Sequence, residues 1–358
     1  MAFDPVQEDC HRLILEAMRR DRIPLNDTAA IQRLMDQFSA DPAPLIVRDR
    51  DRATHLVAKA AEAVDYRIPF IQDDAQAERE AQEAEDRLAE ACDLDPENWD
   101  AKRMTVAITA EYNEDYLRYL LDHREEVEHD LALKIAAAQD DYSREEAGDL
   151  MRRPYLRWLA ALASRALIAG RYRMAVEVAE QSLAYAPDDP AGVRHTAMLA
   201  LAKLESTEDE LRRFRAKHTV AYMDLQPRLR RPQTADKKLD PWTLLALMSR
   251  AWRDFDYEEA ERYLRILVRS RKHAAEALFF QTEFPDGVYA RVNVAEGSID
   301  ELVLALSEAT PLLQEGLGAP DNASFAAWIA TNDLVRGEID ERTLRAAERN
   351  MPRTGGEA

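Results

Sequence analysis

Apolar positions recur at helical spacing along most of this chain. Residues 6–20 place Cys10, Leu13, Ile14, Ala17 and Met18 on one face of an amphipathic helix. The same spacing predicts a helix over residues 26–38, with Met35 among its inward positions. It predicts further helices over residues 49–64, 73–92 and, with a break near Asn113, 100–141. No segment alternates convincingly as a strand would, so the pattern predicts an all-α protein.

Two segments predict the same helix-turn-helix unit. Between Pro154 and Pro187, two apolar helical stretches are joined at residues 170–172. A second pair begins at Pro241, with its turn at residues 254–257. Tyr257 stands three residues before Ala260, just as Tyr172 stands three residues before Ala175. Small side chains at such positions let two helices approach closely, so we expect Ala163, Ala175 and Ser182 to be buried at the contacts within or beside the 154–187 unit.

A spacing relative to proline also recurs. Mostly small residues stand twelve, eight and five positions before a proline in two places: Ala84, Leu88 and Ala91 before Pro96, and Ala175, Ala179 and Ser182 before Pro187. Residues 191–204 and 209–222 predict another helix pair, and a weaker unit surrounds Gly297 and Ser298. The repeated layout predicts stacked units, because one such pair cannot bury its apolar face alone.

These residues resemble the tetratricopeptide repeat superfamily, whose period is about 34 residues. The resemblance covers residues 154–187 and 241–272 most closely, and 73–96 and 190–222 less closely. Ala179 replaces the usual aromatic, and Phe255 stands where a glycine is usual. The resemblance implies antiparallel helix pairs stacked as a right-handed superhelical solenoid with a concave groove.

A narrower resemblance is to bacterial relatives of the suppressor of tumorigenicity 7 family. It rests on the repeat that ends at Pro187 and on the phrase that follows, Asp189 and then Gly192-Val193-Arg194. That family implies no established chemistry. We divide the chain into an N-terminal helical cap region (1–72), first repeat-like helices with a long charged helix (73–150), the tetratricopeptide-like array (151–345) and a disordered tail (346–358).

The charge of the chain limits its partners. The formal net charge is −20, which opposes binding to nucleic acid. No window approaches the roughly 20 apolar residues of a membrane helix. The start of the chain lacks a basic segment followed by an apolar one, so we expect no secretory signal. Cys10 and Cys92 are far apart, which is typical of a cytosolic protein with inert thiols. We therefore expect a cytoplasmic protein without nucleic-acid or membrane partners.

One basic stretch departs from this balance. Between positions 212 and 238, two acids, Asp224 and Asp236, accompany nine bases: Arg212, Arg213, Arg215, Lys217, Arg228, Arg230, Arg231, Lys237 and Lys238. Such a patch on an acidic body can attract an acidic peptide or a carboxylate.

Metal and cofactor motifs are weak. Glu8 with His11, and Glu126 with His129, have the Glu-x-x-His spacing of a carboxylate di-iron bundle. Helical geometry turns all four side chains away from the apolar faces, so we predict no metal site. Phosphate loops, dinucleotide-binding glycines and Cys-x-x-Cys pairs are absent from the sequence, and we predict no cofactor.

The leading hypothesis is a non-enzymatic helical-repeat protein that binds a partner protein or peptide in its groove. Candidate groove residues lie on the first helix of each pair: Arg157, Ser164, Thr196, Lys203, Trp242, Ser249, Trp252 and Arg253. We expect an acidic partner near Arg157, Lys203 and Arg253. For the candidate residues, the alternative is that the tryptophans pack between helices and the bases neutralise neighbouring acids. For the protein, two other functions stay open: a self-associating structural protein and a helical enzyme.

Overall fold

The chain is all-α, as the sequence predicts. The computed structural model describes residues 3–223, 239–316 and 324–350, with the side chains of residues 347–350 left aside. Within these ranges it contains α-helices, short 3₁₀ turns and no strand. The helices divide between two compact units, which are described separately.

The first unit comprises Met1–Arg194 and Pro285–Asn293. Its ten helices are α1 (Pro5–Asp21), α2 (Thr28–Ala40), α3 (Asp49–Tyr66), α4 (Asp74–Leu94), α5 (Trp99–Thr109), α6 (Asn113–Asp122), α7 (Arg124–Ala136), α8 (Asp141–Gly148), α9 (Arg153–Ile168) and α10 (Tyr172–Tyr185). Helices α1, α3, α4 and α5 pack in succession, and α9 packs against α5, α6, α7 and α10. Aspartate and asparagine side chains cap many of the N-termini, as helix propensity dictates.

The second unit comprises His195–Phe284 and Val294–Ala358. Its helices are α11 (Val193–Lys203, whose first two residues belong to the first unit), α12 (Glu208–Lys217), α13 (Pro241–Arg253), α14 (Tyr257–Val268), α15 (Ala274–Phe280), α16 (Ile299–Glu308), α17 (Thr310–Leu313), α18 (Phe325–Thr331), α19 (Asp333–Arg336) and α20 (Glu341–Asn350). Helix α13 packs against α12, α14 and α16, and α15 packs against α14, α16, α18 and α19. The boundary at Arg194 falls inside the segment 151–345 that the sequence suggests as one array.

Helices α9 and α10 form the predicted central pair. Their short connection makes them antiparallel neighbours. The small residues assigned to the contacts, Ala163, Ala175 and Ser182, are all buried, which confirms the predicted register. Gly170 ends α9 at φ +73, a left-handed conformation that glycine adopts without steric cost.

The α13–α14 pair repeats that turn with a different residue. Phe255 adopts φ +60 at the position that corresponds to Gly170. The backbone bonds match closely: Arg171 N donates to Ala166 O at 2.8 Å, and Asp256 N donates to Ala251 O at 2.9 Å. A non-glycine residue in this region costs about 1–2 kcal/mol. Phe255 therefore carries backbone strain that Gly170 avoids.

Several sequence expectations need correction. The helix predicted between Asn113 and Asp141 is interrupted at His123, so it forms α6 and α7 rather than one helix. Met35, expected to point inward, is 43% exposed, because α2 buries only Ala30 fully and packs mainly through Leu34 and Phe38. Helix α20 continues to Asn350 inside the expected disordered tail, and residues 351–358 lie outside the described residues.

Enlarging Ala175 tests the close contact of the central pair. Ala175→Phe should lower the free energy of unfolding by about 1–3 kcal/mol, because the added ring overpacks a fully buried position. Urea unfolding followed by circular dichroism measures the change. Glu177→Phe, at an exposed position of the same helix, is the control. A variant Ala175→Phe as stable as wild type would contradict the contact.

Candidate functional site

The eight predicted groove residues are less accessible than the sequence suggests. Arg157, Thr196, Trp242 and Ser249 are buried, whereas Ser164, Lys203, Trp252 and Arg253 are half-buried. The expectation that they point outward is therefore wrong for the first four. Their helices are covered on more than one side, so positions assigned to a groove face neighbouring elements instead.

Arg157 is the clearest correction, because it lies at the centre of a buried ion cluster. Its Nη1 donates to Glu8 Oε2 at 2.9 Å, and its Nε donates to Asp100 Oδ1 at 2.9 Å. The guanidinium also lies 4.2 Å from the ring centroid of Tyr289 and 4.9 Å from that of Phe3. Arg157 is 2% exposed, so these internal partners replace the acidic ligand expected there.

Glu8 also departs from expectation, since it is 3% exposed rather than on the solvent side of α1. Burial acts to raise the pKa of Glu8, but Arg157, Arg12 and Arg153 together hold this pKa well below its usual range. The other members of the two Glu-x-x-His pairs, His11, Glu126 and His129, are exposed as predicted. Glu8 is therefore a partner of arginines inside the first unit.

The 285–293 segment closes the other side of this cluster. Arg103 donates to Val288 O at 2.7 Å and to Tyr289 O at 2.6 Å, while the backbone N–H groups of Val288 and Tyr289 donate to Asp65 at 2.7 and 2.9 Å. Burial raises the pKa of Asp65 to about 6 despite these donors. A Cβ at Gly287 would lie 1.9 Å from Ala290 O, so the segment requires glycine there.

Within the second unit, three predicted groove residues lie close together, and the carboxylate between them is Glu315 of the chain itself. Lys203 Nζ donates to Glu315 Oε1 at 2.8 Å, and Ser249 Oγ donates to Glu315 Oε2 at 3.2 Å. Arg253 Nε stands 3.6 Å from the same Oε2. Trp242 donates to Glu308 Oε2 at 2.6 Å. These side chains hold α11, α13 and the segment after α16 together.

Two bases of the stretch between positions 212 and 238 also lie beside acids of the chain. Arg212 pairs with Glu208 at 2.7 Å, and Arg215 lies 3.3 Å from Asp240. The five bases from Arg228 to Lys238 lie outside the described residues. Internal acids thus neutralise these two described bases, which is the alternative left open above.

The first unit contains a cleft bordered by α1, α3, α5, α7 and α9, which we call the acidic cleft. Its volume is about 80 Å³. Trp99, Tyr155 and Tyr289 contribute aromatic surface. Its charged lining residues are the acids Glu8, Asp9, Asp95, Glu97, Asp100 and Asp130 and the bases Arg12, Arg50 and Lys134. Carboxylates therefore outnumber basic groups in the lining.

Asp9 is the lining residue with unused hydrogen-bonding capacity. It is 2% exposed, and its Oδ2 stands 2.6 Å from His55 Nδ1. Its Oδ1 is buried without a hydrogen-bond donor among the described residues. Asp9 and His55 also line a second cavity of about 280 Å³, together with Ser39, Lys59, Val6, Phe38, Pro42 and Ala58. The Asp9 carboxylate thus lies between two cavities of the first unit.

Sequence reasoning missed this arrangement for a physical reason. Glu8 and Asp9 are polar residues within an amphipathic helix, and such residues normally face water. One signal was present: Arg157 interrupts an apolar run of α9, and an arginine buried there requires carboxylate partners. The sequence alone does not identify those partners, which stand 149 and 57 positions away.

Comparisons of the chain with protein-family models, with curated proteins and with solved structures found no match. Across the described ranges, no group of three or more His, Cys, Asp or Glu side chains is arranged to hold a metal ion. In those same ranges no helix combines the length and the apolar character needed to cross a membrane.

The ion cluster predicts a pH-dependent mutational effect. Glu8→Gln should lower the free energy of unfolding by about 3–5 kcal/mol at pH 7, because it removes one of the two carboxylates that enclose the buried guanidinium of Arg157. Since Glu8 has a lowered pKa in the folded protein, its contribution is present above its usual value of 4.5 and is lost as pH falls below it. The cost of the substitution should therefore shrink between pH 7 and pH 3.

Denaturant unfolding of wild type and Glu8→Gln across this pH range measures that cost. Glu111→Gln, which removes an exposed carboxylate, is the matched control and should change stability little at any pH. A cost for Glu8→Gln that is the same at pH 3 and pH 7 would contradict the ionised cluster.

Proposed function

We propose that this protein is a non-enzymatic helical-repeat protein that binds a cationic group of a partner, and that the acidic cleft is the binding site. We further propose that its helix pairs stack as a tetratricopeptide-like right-handed solenoid. The matching turns of the α9–α10 and α13–α14 pairs support that arrangement. The cationic group is a primary ammonium or guanidinium, carried by a basic side chain of a protein or by a free amine.

The observation that carries this proposal is the buried Asp9 Oδ1, which accepts no hydrogen bond from any residue that the structure describes. An unpaired buried carboxylate oxygen costs free energy, and a charge-assisted N–H donor relieves that cost. The surrounding carboxylates favour a positive ligand over a neutral one. Trp99 and Tyr155 add aromatic surface against which the methylene groups of an amine can pack.

The charge of the preferred partner is therefore opposite to the one expected from the sequence. Arg157 is enclosed by Glu8 and Asp100, and Lys203 and Arg253 share Glu315. An acidic ligand would have to displace these internal carboxylates. A chain of net charge −20 also attracts cations at long range, which accelerates association at low salt.

Asp9→Asn tests the proposal directly. The probe is Nα-acetyl-lysine methylamide, and pentane-1,5-diamine represents the free amine. Binding is followed by calorimetry and by the intrinsic tryptophan fluorescence, to which Trp99 of the cleft lining contributes. The substitution should weaken binding of the cation by about 10- to 100-fold, since a hydrogen bond to a charged group contributes roughly 1.5–3 kcal/mol.

Two controls sharpen the result. The Nε-acetylated lysine probe keeps the shape but lacks the charge, and it should not bind. Glu111→Gln removes an exposed carboxylate away from the cleft lining and should leave affinity unchanged. Equal affinity of wild type and Asp9→Asn for both amines would reject the cleft as a cation site, and it would assign the Oδ1 position to water alone.

A second candidate function is general-base catalysis in the second cavity, which the Asp9–His55 pair favours. An ionised carboxylate can only accept a hydrogen bond, so His55 Nδ1–H donates to Asp9 Oδ2 and Nε2 is left as the basic nitrogen. That nitrogen makes no hydrogen bond to the described residues. A carboxylate that orients a histidine in this way is one part of a nucleophilic triad, and Ser39 lines the same cavity.

A fluorophosphonate probe tests this second candidate. If the three side chains act together, Ser39 should be labelled, and His55→Gln should reduce labelling at least tenfold. Peptide mapping of the labelled protein identifies the modified residue, with Ser39→Ala as the negative control. Labelling of wild type no greater than that of Ser39→Ala would exclude a serine nucleophile at this position.

A further inference from the structure

The turn between α13 and α14 exposes an unusual run of side chains. Residues Asp254, Phe255, Asp256, Tyr257 and Glu258, which we call the 254–258 turn, are all exposed and alternate acidic and aromatic side chains. Phe255 is 77% exposed, the largest exposed fraction given for any large apolar residue in the described ranges. This turn belongs to the second unit and is independent of the acidic cleft.

Phe255 contributes little to the stability of the fold in this position. Its backbone is left-handed, at φ +60, where glycine would be free of strain. Its ring is not buried, so apolar burial does not offset that strain. Strained residues of this kind concentrate at functional sites, because selection retains them for a purpose other than stability.

The ring is nevertheless held in a defined place by other aromatic side chains. Phe255 meets Tyr257 edge-on at 6.3 Å between ring centroids, and Tyr257 stacks with Trp328 at 6.5 Å. Trp328 stacks with Phe325 at 6.1 Å, and Phe325 lies 5.4 Å from Trp252. Phe325 is fully buried. The core of the second unit therefore supports an aromatic row that ends in solvent at Phe255.

We propose that the 254–258 turn is a docking surface for an arginine-rich segment of a partner protein. Three carboxylates stand next to the two exposed rings in sequence, and Arg250 pairs with Asp254 at 2.6 Å. The remaining charge of the turn is negative. A guanidinium can stack on an aromatic face while it binds a neighbouring carboxylate, and arginine does this better than lysine.

The charge pattern selects this occupant over the other candidates. A symmetric contact with a second copy of the chain would bring two such acidic turns together, and they would repel each other. An anionic membrane surface or nucleic acid would be repelled as well. An arginine-rich segment satisfies the rings and the carboxylates together.

The experiment uses the full chain and a fluorescein-labelled, end-blocked peptide of five Arg-Gly repeats, followed by fluorescence polarisation at low salt. A citrulline-Gly peptide has the same shape without the charge. Wild type should bind the arginine peptide, with affinity that falls as salt is added, and should not bind the citrulline peptide. Equal binding of both peptides would overturn the proposal.

Two substitutions of Phe255 separate function from stability. Phe255→Gly removes the ring and the strain, so the melting temperature should rise by about 1–4 °C while affinity for the arginine peptide falls about two- to fivefold. Phe255→Ala removes the ring but keeps a left-handed non-glycine residue. It should lose the same affinity without the gain in melting temperature.

Two further variants serve as controls. Phe70→Ala removes an exposed phenylalanine of the first unit, which is 67% exposed, and should leave peptide affinity unchanged. The loss caused by Phe255→Gly should persist in an Asp9→Asn background, which separates this surface from the acidic cleft. Wild-type affinity in both Phe255 variants, or no binding to wild type, would overturn the proposal.

Discussion

The enclosure of Arg157 by Glu8 and Asp100 is the interaction on which the first unit depends. A guanidinium that is 2% exposed is tolerable only with paired carboxylates and satisfied donors. Those partners come from α1 and α5, and Tyr289 of the 285–293 segment covers the charge from another side. The helices must therefore assemble in one register, because a shift of any of them would leave a buried charge alone.

That constraint explains why the acidic cleft lies beside the cluster. Glu8 and Asp100, which pair with Arg157, also line the cleft, and the other acids of that lining outnumber its basic groups. Asp9 follows Glu8 on α1 and is turned toward α3, where His55 meets one of its oxygens. The other oxygen receives no hydrogen bond from the part of the chain that the structure describes, as a result of the same helix placement. Stability and the proposed ligand site thus have one physical origin.

Helical periodicity predicts local structure well and tertiary contacts poorly in this chain. The buried small residues Ala163, Ala175 and Ser182 follow from spacing alone, because each side of a contact is encoded within a few turns. The positions of Glu8 and Arg157 do not follow, since their burial depends on partners far away in the chain. A helical wheel assigns a charged residue to solvent unless its counter-charge is known. For this reason spacing alone did not show that the predicted groove bases, Arg157, Lys203 and Arg253, lie beside acids of the chain itself.

The 285–293 segment has a consequence for the order in which the protein can form. The backbone N–H groups that donate to Asp65 lie 223 and 224 positions later in the chain. The first unit is therefore incomplete until residues 195–284 of the second unit have been synthesised. At about 5–20 residues per second, this delay lasts roughly 10–45 seconds on a ribosome. During that interval Asp65 and Arg103 lack the segment that later covers them.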